Sequence, residues 1–65
     1  MKAVEFFHAV AATVSKTAGQ PLRDVSPDAD VLSYFDAGAD REDQEKAAAE
    51  CATEILFEAG YPVEV

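Results

Sequence analysis

Sixty-five residues with a single cysteine, Cys51, make one domain near the lower limit for folding alone, with no intrachain disulfide and no Cys-rich metal site. The net charge of −8, from 13 acidic and 5 basic residues, argues against direct binding of nucleic acid or of an anionic membrane, since both need positive charge near phosphates. A chain this short buries only about 60% of the surface its unfolded form exposes, so its large apolar side chains are needed for the core and few remain to wall an active site.

The first predicted element is an amphipathic helix from about Lys2 to Ala18. Ala3, Phe6, Phe7, Val10, Val14 and Ala18 recur at spacings of three and four, which stacks them on one face, while His8, Ala12, Ser15 and Lys16 fall away from it. Gly19 is a natural C-terminal stop, and Pro21 cannot continue the helix. A strand through Ala3–Val10 is the weaker competitor, because adjacent Phe6 and Phe7 would point to opposite faces.

Residues 19–30, GQPLRDVSPDAD, read as a turn-rich connector that Leu22 and Val25 anchor on the core. Ser26-Pro27 predicts the start of a short middle helix, with Ser26 as N-cap, Pro27 at the first helical position and Asp28 facing the positive end of the dipole. That helix carries Val31, Leu32, Tyr34 and Phe35 and ends near Gly38. Asp40 opens the last helix, which runs to about Ala59 before Gly60 and buries Ala48, Cys51, Ala52, Ile55, Leu56 and Ala59. Cys51, in that apolar pattern, reads as a small core hydrophobe. The fold expected is therefore mainly α, a compact single acidic domain over residues 1–65 with two main helices and a short middle one. The alternative is a small α+β arrangement with short strands near 31–35 and 62–65.

The charge is polarised along the chain. Lys2, Lys16 and Arg23 face Glu5 alone in residues 1–23, whereas Arg41 and Lys46 face twelve carboxylates in residues 24–65. On the last helix Asp43, Glu50 and Glu54 lie close together opposite the apolar stripe, with Glu42 and Glu58 flanking them. Residues four apart stand about 6 Å from each other, so Glu50, Glu54 and Glu58 form a row whose spacing is comparable, to a rough order, with that of phosphates on a nucleic-acid strand. Glu42 can pair with Lys46, and Lys46 with Glu50, but no base answers Glu54 or Glu58. Such a face can simply keep a helix soluble. Against that, like charges at i,i+4 and acids in the last turns both disfavour the helix, by about 0.2–0.5 and 0.3–1 kcal/mol respectively. Phe57 also projects into the acidic row, as an interface anchor would, unless the tail folds back and covers it with Tyr61, Pro62 or Val63. Asp24, Asp28, Asp30, Asp36 and Asp40 form a second acidic group, and one broad anionic surface results if both groups share a side.

Catalytic chemistry finds little footing. The only histidine, His8, lies on the polar side of the first helix, Ser15, Ser26 and Ser33 lack a nucleophile-elbow context, and Gly19, Gly38 and Gly60 stand apart rather than in a phosphate loop. Asp36-Ala37-Gly38-Ala39-Asp40-Arg41-Glu42 departs from the ligand spacing of a calcium loop. The Asp-Ser-Leu attachment site of acyl carrier proteins is missing, since Ser33 stands between Leu32 and Tyr34. No enzyme activity, cofactor or metal is expected. Nor does MKAVEFFHAV read as a signal peptide, and no run approaches the roughly 20 apolar residues of a membrane span, so a cytoplasmic protein with no membrane partner is expected.

In its size, its stretch DREDQEKAAAE and its unbalanced Glu54 and Glu58, the whole chain resembles the small acidic anti-CRISPR proteins of phages. It looks most like the inhibitors of type I CRISPR systems, type I-C among them. That resemblance implies a non-enzymatic protein in the host bacterial cytoplasm that binds a CRISPR effector complex, in the acidic cases by filling the basic channel meant for target DNA. The physical reading agrees: a surface that binds DNA attracts any rigid polyanion by the same electrostatics. The residues expected to meet such a basic nucleic-acid-binding partner are Asp36, Asp40, Glu42, Asp43, Glu50, Glu54, Phe57 and Glu58. The alternative is a regulatory adaptor whose apolar and aromatic helix face, with Phe57 and Tyr34, carries the binding. Monomer and homodimer both stay open.

Overall fold

The computed structural model describes residues 2–63. The chain is mainly α. Helix α1 spans Ala3–Ala18, a four-residue helix α2 spans Leu22–Val25, a 3₁₀ turn spans Val31–Tyr34, and helix α3 spans Arg41–Glu58. No strand occurs among the described residues, so Val31–Tyr34 takes the 3₁₀ turn rather than the alternative strand, and Tyr61–Val63 is irregular. Glu64 and Val65, the rest of the second candidate strand, lie outside the described residues.

Helix α1 presents the i, i+4, i+8 row Phe6, Val10 and Val14, all fully buried, and packs chiefly against α3. Gly19 ends it at φ 72°, where its N–H reaches the Ser15 carbonyl. A side chain there would be strained, which is why glycine terminates the helix. The buried arc is narrower than the spacing predicts. Ala18 is half-buried, but Ala3 and Phe7 are exposed, and the Phe7 and His8 rings stand in a T-shaped pair with centroids 6.5 Å apart. Phe7 stands about 100° around the helix from Phe6. Phe6 takes the interior place and meets Phe35 with ring centroids 5.3 Å apart and tilted by 56°.

The middle of the chain differs from the expectation. Ser26 and Pro27 do not start a helix: the Ala29 N–H donates to the Ser26 carbonyl, closing a tight turn with Pro27 in its second position. Proline's fixed φ suits that position as well as it suits a helix start. The following Asp28-Ala29-Asp30 carries two poor helix formers, and the Ser33 hydroxyl donates to the Asp30 carbonyl, so side chains compete with the helical ladder. The expected short helix survives only as the 3₁₀ helix Val31–Tyr34, and a further short helix forms earlier, as α2, where the Pro21 carbonyl accepts from the Asp24 and Val25 amides and the Ser26 amide donates to Leu22. Leu22 is buried and Val25 half-buried, so both anchor the connector as expected.

Helix α3 buries Gln44, Ala48, Cys51, Ala52, Ile55 and Leu56. Its boundaries match the expectation. Asp40 is the N-cap, its carboxylate accepting from the Asp43 amide at 2.8 Å. At the other end Gly60, at φ 88°, allows the chain to reverse: its N–H donates to Phe57, and Tyr61 donates back to Leu56. Those two bonds form the Schellman arrangement, which satisfies carbonyls left free by the helix end. Ala59 is exposed rather than part of the apolar face, because the chain leaves the helix there. Past Gly60 the tail turns back, and Tyr61 and Val63 pack against the core.

Candidate partner-binding face

The acids of α3 fall into two environments. In the N-terminal half Asp40 caps the helix, and Glu42 and Asp43 occupy the first turn, where the helix dipole favours negative charge. Arg41 pairs with Glu45 at 3.4 Å and Lys46 with Glu42 at 3.8 Å, each across one turn. Lys46 therefore answers Glu42 and leaves Glu50 without a partner. Asp36 is held locally as well: its carboxylate accepts from the Gly38 amide, and its carbonyl accepts from the buried Gln44 side chain, both at 2.9 Å. Asp36 and Asp40, the loop acids named from sequence, are thus engaged with nearby amides.

From Glu50 onward no base answers the row. Glu50, Glu54 and Glu58 are exposed, and none makes an ion pair among the described residues. Here the tertiary fold adds what the sequence left open. Glu54 and Glu58 line an open hollow of about 260 Å³ together with Asp28, Asp30, Ser33 and Tyr34. Cys51 and Ile55, from the buried side of α3, also line it, and no Lys or Arg does. The two acidic groups therefore share a side in part: Asp28 and Asp30 join Glu54 and Glu58, whereas Asp36 and Asp40 belong to the other end of α3. No three His, Cys, Asp or Glu side chains among the described residues are placed to hold a metal ion.

Burial first, and then the surrounding negative charge, act on two groups beside the hollow. Desolvation, then the carboxylates of Glu54, Glu58 and Glu50 together with Cys51, raise the Tyr34 hydroxyl above its ordinary value, so it stands as a neutral donor at pH 7. Burial first, and then Asp30 and Glu54, push the Cys51 thiol up. At 1% exposure that thiol is a protonated core group.

Glu54 also borders a second depression. Thr53, Glu54, Phe57 and Val63 line a shallow groove of about 240 Å³ on the outer face of α3. Residues 61–63 do fold back, but they leave Phe57 70% exposed. Of the residues singled out from sequence, Glu50, Glu54, Phe57 and Glu58 form one continuous strip. Glu42 and Asp43 lie up to four turns away, at the opposite end of the helix. Asp28, Asp30 and Tyr34 complete the face. Only their acidity or exposure was visible in the sequence, because the turn at Ser26–Ala29 is what brings them to α3. No family model, curated protein or solved structure matches this chain.

Proposed function

We propose that this protein is a non-enzymatic inhibitor that uses its acidic face as a nucleic-acid mimic, occupying the basic nucleic-acid-binding surface of a protein partner. One observation carries the reading: Asp28, Asp30, Glu54 and Glu58, from two separate elements, gather around Tyr34 with no basic residue among them. Glu50, Glu54 and Glu58 repel one another along α3, and a cationic partner offsets that cost by supplying the missing counter-charge. A CRISPR effector complex is the partner to test first, given the chain's resemblance to the small acidic inhibitors of such systems, and block of target-DNA binding is the effect to measure.

The test is competition between this protein and target DNA for a purified type I effector complex across a salt gradient. Displacement of DNA weakens as salt rises, because screening shortens the reach of the carboxylates. The triple variant Glu50→Lys, Glu54→Lys, Glu58→Lys loses displacement while its far-ultraviolet circular dichroism stays helical. Undiminished displacement by that variant refutes the mimicry. The exposure of Phe57 favours a second reading, an adaptor bound through its aromatic face. There Phe57→Ala would cost roughly 2 kcal/mol of binding, with little dependence on salt.

A further inference from the structure

The groove beside Phe57 has a chemistry of its own. Its walls are Thr53, the Phe57 ring, Val63 and the Glu54 side chain. Among the described residues Phe57 is the most exposed large apolar side chain, at 70%. Glu54 precedes Phe57 by three residues and Glu58 follows it by one, while the ion-paired cations, Arg41 and Lys46, stand near the other end of the helix. An occupant of the groove therefore meets an aromatic face with an exposed glutamate, unpaired among the described residues, at its rim. A purely apolar side chain would cover the ring but leave Glu54 and Glu58 beside it without a counter-charge. A second copy of this chain would bring its own surplus of negative charge. A lysine would answer the charge, but its compact ammonium is strongly hydrated and stacks poorly. An arginine does both: its guanidinium plane lies on an aromatic ring while its edge donates to a carboxylate.

We propose that the Phe57–Glu54 groove is a receptor for an arginine side chain of the basic protein partner. The inference rests on the mimicry reading for the existence of a basic partner and adds which cation of that partner is recognised, and where.

Hexa-arginine and hexa-lysine peptides titrated into the isotopically labelled full chain, followed by nuclear magnetic resonance, test it. The arginine peptide is expected to bind about two- to five-fold more tightly, with the Phe57 ring and Glu54 signals moving together. Phe57→Leu keeps an apolar side chain without the π face and, lying outside the core, leaves the helix intact. In that variant the arginine preference disappears and both peptides bind alike. Equal affinities for the unsubstituted protein, or a preference that survives Phe57→Leu, overturn the arginine receptor and leave the basic-partner reading standing. If neither peptide perturbs residues 50–58, both readings fall. Phe57 signals that shift with protein concentration in the absence of peptide assign the groove to a second copy of the chain and overturn the proposal.

Discussion

The two halves of α3 solve opposite problems. The N-terminal half is electrostatically at ease: Asp40 caps it, its first-turn acids face the positive end of the dipole, and Glu42 and Glu45 each have a base one turn away. It contributes little apolar bulk, burying Gln44 and Ala48. The C-terminal half has no cation in its last turn and, among the described residues, three glutamates without an ion pair, yet it buries Cys51, Ala52, Ile55 and Leu56. The first half is helical for local reasons, and the second is helical because the core requires it. The acidic row is displayed on the segment whose inner face is best packed, so packing offsets the repulsion of the outer face.

The largest effect that would sharpen this contrast comes from the core. Leu56→Ala removes a side chain that is 3% exposed, and it is expected to destabilise the fold by about 2–5 kcal/mol. For a domain of this size that approaches the whole stability, so the variant should be largely unfolded at 37 °C. Asp40→Ala, at the other end, takes away one capping bond and should cost about 0.5–2 kcal/mol, shifting the urea midpoint without changing the slope. An Asp40→Ala loss as large as that of Leu56→Ala would break the contrast, placing the decisive stabilisation in the cap rather than in the packing.

Much of this architecture is legible in the sequence because it rests on local rules. The Phe6, Val10, Val14 row follows from helical periodicity, and Gly19, Asp40 and Gly60 mark boundaries through backbone chemistry that needs no tertiary partner. What stayed hidden depends on neighbours distant in sequence. Whether Phe6 or Phe7 enters the core depends on where α3 lies. Ser26-Pro27 satisfies the rules of a helix start and of a tight turn alike, and the choice falls to the segment that must bury Val31. Gln44 looks like a surface residue in DREDQEKAAAE, yet it is 2% exposed because its amide ties α3 to the Asp36 carbonyl. For the candidate face, the row Glu50, Glu54, Glu58 and the position of Phe57 beside it are helix arithmetic, but whether the tail covers Phe57 is not. The gathering of Asp28 and Asp30 around Tyr34 is a product of the fold.

The smallest effect discriminates most sharply, because one substitution should have opposite signs at the two ends of one helix. Glu58→Lys removes the repulsion from Glu54 one turn earlier, replaces it with a Glu-to-Lys pair in the favoured orientation, and puts a cation in the last turn. Stability should rise, by about 0.5–1 kcal/mol at low ionic strength. Glu42→Lys breaks the pair with Lys46, sets two lysines one turn apart and puts a cation against the positive end of the dipole. Stability should fall by a similar amount, about 0.5–1 kcal/mol. Both changes should shrink in concentrated salt, since both side chains are exposed and their interactions are screened. Urea denaturation of the two variants at low and high salt measures all four values. A loss of stability in Glu58→Lys would mean that Glu58 makes a contact the fold depends on, and the acidic end of α3 would then be structural. A gain in stability accompanied by weaker binding to the basic partner would mean the reverse: Glu58 lowers the stability of the free protein, and its use lies in the complex.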